Sequence, residues 1–271
     1  MSEKIAVDLG SVQTTLLLPL WGRAMETRKT KPRLIDRKAV EIIDRIDYDF
    51  SKIASGIHNV TQLEWIARSV HIDRTIREFL AAHPAATIIN VGCGLDTTFE
   101  RVDNGRLFWY DLDLPDAIEL RRKFIQESER RKFLPCSFLD ECWFNQIKVH
   151  QNVFLMAAGV LYYFEETQVR EIFDKICSTF PGSEFVFDAA SHMGVRMANR
   201  KVIQNVGLDE QSFLKWGIEH ASDIRKWNSH IEVIEDYPVY SGMKKGLCLL
   251  DRYMAFIADR HRIMFMVHLR M

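Results

Sequence analysis

The chain has 271 residues, 47% of them hydrophobic and 27% charged, enough apolar material for a sizeable core under an ordinary charged surface. Lys and Arg number 36 against 37 Asp and Glu, for a formal net charge of −1, and no basic block or acidic tail stands out, which argues against a nucleic-acid partner. No stretch of uninterrupted apolar residues is long enough to cross a membrane, and the opening Met-Ser-Glu-Lys-Ile-Ala-Val-Asp carries acids and lacks the apolar run of a secretory signal.

In chain order, residues 1–84 read as an N-terminal helical cap. Apolar residues recur at helical spacing over 38–46 and 63–80, and Thr61 with Glu64 forms a capping-box pattern for the second helix. Pro84 then punctuates, and from Thr87 onward strand and helix signals alternate, as in a parallel sheet with helices on both faces. Strands are expected at 87–91, 107–111, 133–136, 152–156 and 184–188, with helices near 96–102, 115–130 and 165–180. The last helix opens on Glu165-Glu166 and stops before Pro181-Gly182. The segment 189–229 has few strand signals and reads as an insertion over the strand ends. Its Met193, Met197, Phe213, Trp216 and Trp227 either line an adaptable apolar pocket or pack the segment onto the body. A strand at 231–234, a helix at 247–258 and a strand at 263–269 then close the sheet as an antiparallel edge pair. The whole predicts an α/β fold, a doubly wound and mostly parallel seven-stranded sheet over 85–271. The five cysteines (93, 136, 142, 177, 248) are scattered, with no Cys-x-x-Cys and no His/Cys cluster, so reduced thiols, no metal site and a cytoplasmic location are expected.

The most informative stretch is Thr87-Ile-Ile-Asn-Val-Gly-Cys-Gly-Leu-Asp96. A buried strand runs straight into Gly92-Cys93-Gly94, and glycines there let the backbone turn sharply and lie close to a ligand. The next strand ends in Asp111-Leu112-Asp113-Leu114-Pro115, and an acid in that place accepts hydrogen bonds from ribose hydroxyls. The third glycine of a dinucleotide fingerprint is missing, and Asp96 would repel a pyrophosphate. S-adenosylmethionine fits better, since it has no phosphate and carries a sulfonium and an ammonium. An NAD-linked oxidoreductase is correspondingly disfavoured.

Val91-Gly-Cys-Gly-Leu-Asp-Thr-Thr, Tyr110-Asp-Leu-Asp-Leu-Pro and Arg121-Arg-Lys together resemble the leucine carboxyl methyltransferase family, which includes bacterial polyketide O-methyltransferases of the tetracenomycin type. Further blocks follow in order: Thr14 to Ala24, Asp36 to Phe50, Ala67-Arg68 with Asp73, and Ala158-Gly-Val-Leu-Tyr-Tyr-Phe. The resemblance covers most of 14–188 and implies a Rossmann-like methyltransferase sheet with an N-terminal helical cap and an insertion after the fifth strand. It also implies S-adenosylmethionine as cofactor, with S-adenosylhomocysteine as product. It assigns Arg68 to the methionine carboxylate, Gly92, Cys93 and Gly94 to the cofactor turn, Asp113 to the ribose, with Asp111 two residues back on the same strand face as its competitor, and Ser137 and Phe138 to the adenine. Phe138 is equally suited to the core. The sequence departs from the family at Ala158, where many members carry a glutamate for the cofactor's ammonium; Met156 to Gly159 offer only backbone carbonyls there.

Tyr162 and Tyr163 after the fourth strand, and Asp188 and His192 at the end of the fifth, lie at the carboxyl edge, where an acceptor would sit. No catalytic residue is assigned, because a carboxylate acceptor is already ionised at neutral pH while a hydroxyl needs a base. The acceptor is expected to be a small organic molecule bearing a carboxylate or hydroxyl. A protein carboxyl methyltransferase, or a decayed cofactor-binding scaffold, are the alternatives.

Overall fold

The computed structural model describes residues 4–6, 11–51, 57–200 and 213–271. Seven strands form one sheet in the order β5-β4-β3-β6-β7-β9-β8, and a two-stranded parallel ribbon, β1 (Ile5–Ala6) with β2 (Ile46–Asp47), stands apart. The sheet strands are β3 (Thr87–Val91), β4 (Phe108–Asp113), β5 (Arg131–Pro135), β6 (Val153–Ala157), β7 (Glu184–Ala190), β8 (Glu232–Pro238) and β9 (Met264–Arg270). β9 runs antiparallel to both β7 and β8, which gives the expected edge pair, while β3 to β7 are parallel. The direction of winding reverses between β3 and β6, and in such sheets the crevice outside the carboxyl ends at that point is where ligands bind.

Alternation along the strands builds two cores. Ile88, Trp109, Phe154, Met156 and Val186 face one way, onto α3 (Asn59–Ala82). Ile89, Val91, Leu112, Leu155 and Phe187 face the other, onto α6 (Glu166–Thr179). α6 begins where its acids predict, with a capping box in which the Gln168 side chain accepts from the Glu165 backbone N–H at 2.9 Å. A third apolar cluster joins α1 (Ser11–Thr27) and α2 (Arg37–Arg45) to Cys93, Leu95, Ile118 and Phe124, and so brings the N-terminal helices down beside the glycine turn.

Several expectations are corrected. α1 is a helix despite an internal Pro19 and lay outside the predicted set. α3 starts at Asn59, so Thr61 lies inside it and forms no capping box with Glu64. α4 is short (Thr98–Val102) because Asp96 accepts from the Thr98 backbone N–H at 2.8 Å and starts the helix there. α5 (Pro115–Arg122) stops well before 130: the N–H groups of Lys123, Phe124 and Ile125 fold back onto the carbonyls of Leu120 and Arg121, and both apolar residues turn into the third cluster. The 189–229 segment contains α7 (His192–Ala198) and a 3₁₀ turn at Ala221–Lys226, while 201–212 lie outside the described residues. α8 (Leu249–Arg260) closes the helix set. Reduced thiols were expected throughout, but Cys136 and Cys142 are joined in a disulfide; the loop after β5 doubles back and brings them together across six residues. Asp140 lies within 4.8 Å of both sulfurs, which as a disulfide offer no thiolate to a metal. Among the described residues no helix is long and apolar enough to cross a membrane.

Candidate active site

The glycine turn is held from below. Gly92 and Gly94 have φ of 60° and 39°, values that favour glycine. A Cβ on Gly92 would stand 2.4 Å from a Val160 methyl, and one on Gly94 would stand 2.8 Å from a Leu16 methyl, so these two side chains lie directly against the turn. Arg121 of α5, fully buried, donates to the Gly94 carbonyl at 2.8 Å and to Asp111 at 3.0 Å, and so pins the turn to the second strand. Cys93 is buried between the glycines, and burial pushes its thiol well above the ordinary cysteine range, which makes it an inert spacer.

The two acids that close β4 have different roles. Asp111 is completely buried and accepts from Asn90, Trp109, Arg121 and Arg131 at 2.8–3.0 Å. Every direction around it is taken by protein. Asp113 is half-exposed at the strand end and accepts only from backbone N–H groups, Gly94 at 2.6 Å and Leu114 at 2.8 Å. Burial raises its pKa above the usual aspartate range, while those two N–H bonds oppose the rise. A carboxylate has about four lone-pair sites, so Asp113 keeps acceptor capacity for a ligand and Asp111 does not.

Across the switch point, α3 presents Glu64 and Arg68 on one face, one turn apart. The buried Arg68 guanidinium donates from Nη1 to Asp188 Oδ2 at 2.8 Å, and Tyr162 Oη lies 3.5 Å from the same nitrogen. Asp188 Oδ1 in turn accepts from the Gly159 backbone N–H at 2.7 Å. Gly159 has φ of 80°, and a side chain there would press to 3.1 Å against both Arg68 and Tyr162. The tyrosine hydroxyls stay protonated, because burial raises both Tyr162 and Tyr163. Ala158 is half-buried beside this group and adds no side-chain acceptor. Glu64, which sequence reasoning placed in a cap, instead turns inward. Its carboxylate lies 3.3 Å from Tyr240 Oη, and its charge is felt at Arg68, Tyr162 and Tyr240. Burial lifts Glu64 to about 7, against the pull of Arg68.

The other candidates lie further out. The Ser137 hydroxyl accepts from the Leu139 N–H at 3.2 Å in the disulfide-closed loop after β5. Phe138 is in the core, its ring 6.0 Å from Trp143 and its carbonyl accepting from that indole at 3.0 Å. His192 is exposed at the start of α7 and lines a separate cavity of about 350 Å³ with Glu166, Arg170 and Trp227. It is not brought to the Arg68–Asp188 group. Trp216 and Trp227 sit 5.8 Å apart and pack with Ile218, Ala221 and Ile224 onto the α6 side of the body, Val195, Phe213 and Leu214 pack on the α3 side, and Met193 and Met197 are exposed. The Glu64–Tyr240 pair was missed because Tyr240 is 176 residues away in sequence.

A parallel sheet reversing between β3 and β6, a glycine turn with a free acid beside it, and an arginine-aspartate pair facing it define an S-adenosylmethionine-dependent methyltransferase. The profile of the leucine carboxyl methyltransferase family matches residues 17–177. The chain is 32% identical over 193 residues to the tetracenomycin polyketide synthesis O-methyltransferase TcmP of Streptomyces glaucescens, covering 71% of each protein. It is 26% identical over 264 residues, 87% of each, to the S-adenosyl-L-methionine-dependent methyltransferase dpfgK of Gibberella zeae. A DUF574 family protein from Streptomyces avermitilis shares the fold with a TM-score of 0.59 at 10% identity, over 94% of this chain and 96% of that one. This chain belongs to the leucine carboxyl methyltransferase family.

Proposed function

We propose that the chain moves the methyl group of S-adenosylmethionine onto an oxygen of a small organic molecule, as the name of its relative TcmP suggests. The observation that carries the reading is the buried Arg68–Asp188 pair at 2.8 Å, facing the glycine turn. The amino-acid end of the cofactor is a zwitterion, and an ion pair is its electrostatic complement: Arg68 for the carboxylate and Asp188 for the ammonium. On this reading Asp188 holds cofactor, and it offsets the missing side chain at Ala158, next to the Gly159 N–H that it binds. Asp113 accepts from the ribose hydroxyls. Gly92, Cys93 and Gly94 supply backbone, and Ser137 lies toward the adenine.

When bound, the cofactor supplies a methyl already activated by its sulfonium, so the protein's task is alignment and exclusion of water. Tyr162 and Tyr163 flank the acceptor side. Leu16 of α1 and Arg68 of α3 border the cleft from one side. Leu16 lies against Gly94, so a cofactor that rests on this turn requires α1 to shift. Calorimetry tests the reading: S-adenosylhomocysteine binds with a micromolar dissociation constant, and NAD gives no heat. No binding of either S-adenosyl compound, or preferential binding of NAD, overturns it.

A further inference from the structure

We propose that the outward face of α8 is a self-association surface, on which a second copy of this chain docks across a two-fold axis through Tyr253. The inference is independent of the methyl-transfer reading.

α8 is amphipathic in the reverse of the usual sense. Ala255 is fully buried in the core cluster on the α3 side of the sheet, and Ala258 packs beside it, so this side of the helix faces the body. Both acids of the helix lie toward the same side. Asp251, one turn before Ala255, accepts from the Asn59 side chain of α3 at 3.2 Å. Asp259, one turn after it, accepts from the Tyr240 backbone N–H at 3.2 Å and pairs with Lys244. The opposite side carries Leu249, Leu250, Tyr253, Phe256 and Ile257, with Met254 at its margin, all 37–78% exposed. Among the described residues these six are half of the large apolar side chains left exposed, so the exposure is gathered on one helix and not scattered. Scattered apolar residues on a surface are ordinary, whereas a contiguous patch marks a contact. A surface helix normally turns its apolar stripe to the core and its charges to water; α8 does the opposite.

The spacing of the stripe selects the occupant. Leu249 and Leu250 precede Tyr253 by four and three residues, and Phe256 and Ile257 follow it by three and four. The stripe therefore reads the same in both directions about Tyr253. A two-fold contact sets one patch against itself and needs that property, whereas a contact with an unlike partner does not. Antiparallel pairing of two α8 helices lays Tyr253 on its counterpart, and Leu249 and Leu250 of one copy against Phe256 and Ile257 of the other. No charge interrupts the stripe between Leu249 and Ile257: Asp251 is bonded to α3, and Arg252 lies on the flank. Like charges therefore do not meet at the axis. The six side chains expose roughly 600 Å² per copy, at the top of the range for the largest patch on a monomer and most of the ~800 Å² that each partner gives to a standard interface.

The test uses the intact chain, in sedimentation velocity and in thermal melts over a dilution series. The parent is expected to sediment as a dimer at micromolar concentration, and its melting temperature to rise with concentration. Tyr253→Arg and Tyr253→Glu, at a side chain 64% exposed, are each expected to sediment as monomers that melt independently of concentration, with S-adenosylhomocysteine affinity within about twofold of the parent. Mixed in equal amounts, the two variants are expected to regain the dimer, because the axis sets position 253 of one copy on position 253 of the other and the charges there are then opposite. Leu250→Glu, at a side chain 66% exposed, is expected to give a monomer too, and serves should a variant at 253 fail to fold. The proposal is overturned by a parent that stays monomeric throughout the series, whether or not it binds vesicles of phosphatidylcholine and phosphatidylglycerol. A dimer that persists in Tyr253→Arg and Leu250→Glu, or a mixture of the two Tyr253 variants that stays monomeric, overturns it as well.

Discussion

Asp111 and Asp113 look interchangeable in sequence, and the structure predicts opposite consequences for their replacement. Asp111→Asn leaves the shape in place but removes the carboxylate between two buried arginines, Arg121 with no side-chain exposure and Arg131 with 3%. That network already contains two buried donors without partners, Arg121 Nε and Arg131 Nη2. Arg131 keeps Glu100 at 2.7 Å, whereas Arg121 is left with the backbone carbonyls of Cys93 and Gly94. Removing one member of a buried pair costs about 3–5 kcal/mol. At roughly 2–4 °C per kcal/mol for a chain of this size, the melting temperature falls by about 6–20 °C. Asp113→Asn keeps one carbonyl oxygen, so it retains one of the two backbone bonds, from Gly94 to Oδ2 or from Leu114 to Oδ1, and loses the other; it touches no arginine, so its effect on melting is expected to be within about 1–2 kcal/mol. It weakens S-adenosylhomocysteine by about 1–3 kcal/mol, or roughly 5–150-fold. Thermal melts and calorimetry on the two variants decide the matter. If Asp111→Asn melts like the parent and loses the ligand, while Asp113→Asn binds normally, the assignment is inverted and the reasoning from burial is wrong.

Asp188→Asn and Arg68→Met should weaken S-adenosylhomocysteine at least tenfold, by about 1.4 kcal/mol or more, and leave 5′-methylthioadenosine, which lacks the amino-acid end, unchanged in calorimetry; equal losses for both ligands would remove these residues from that end. In the Asp188→Asn background, Ala158→Glu should recover affinity, as read in the same titration. The Glu64 carboxyl is raised from 4.5 to about 7, so its contribution to stability is complete below about 4.5 and lost as pH rises through about 7. Melts from pH 4.5 to 8 should therefore show Glu64→Gln gaining on the parent by roughly 3 kcal/mol toward high pH, and parallel curves would contradict the raised pKa. Cys142→Ser, or reduction, opens a loop of about six residues and should cost about 2 kcal/mol on the chain-entropy model, measured by denaturant titration; thiol counting with and without reductant checks that the bond exists.

What the sequence made legible follows from how local each cause is. β3, β6 and β7 are runs of apolar residues buried on both faces, so their pattern alone announces them, and the glycine turn needs only its own φ values. α1 was illegible because Pro19 breaks the local signal, while the burial of Leu17, Leu20 and Ala24 against α2 and α5 sustains the helix. The end of α5 was misjudged because Phe124 and Ile125 continue the helical spacing but are buried by folding back. Glu64 is the most instructive miss. Thr61 and Glu64 match a capping box, yet α3 begins at Asn59 and the glutamate turns toward a tyrosine 176 residues away. In the same way, no local motif marks Cys136 and Cys142 as partners; a doubling loop joins them.

Burial of charge separates scaffold from site in this molecule. Arg101 spreads its donors over Asp36, Asp73, Thr97 and Thr98, and Arg121 divides its own between Asp111 and two carbonyls. Such arginines tie elements together and have little left to offer a ligand. Arg68 is as deeply placed, yet its hydrogen bonds among the described residues run through Nη1 alone. A guanidinium has five N–H donors in a rigid fork, and none of those on Arg68 is among the buried donors left without a partner, so the rest of the fork carries no burial penalty and can be offered to a ligand carboxylate. The chain keeps Gly159 beside it, where any side chain would press on the guanidinium, and holds Asp188 against it through a backbone N–H. On the proposed reading, the carboxylate of the cofactor's amino-acid moiety takes the free part of that fork and its ammonium meets the same aspartate. That is why cofactor affinity is expected to depend on Arg68 and Asp188 together and fold stability to depend on Arg101 and Arg121.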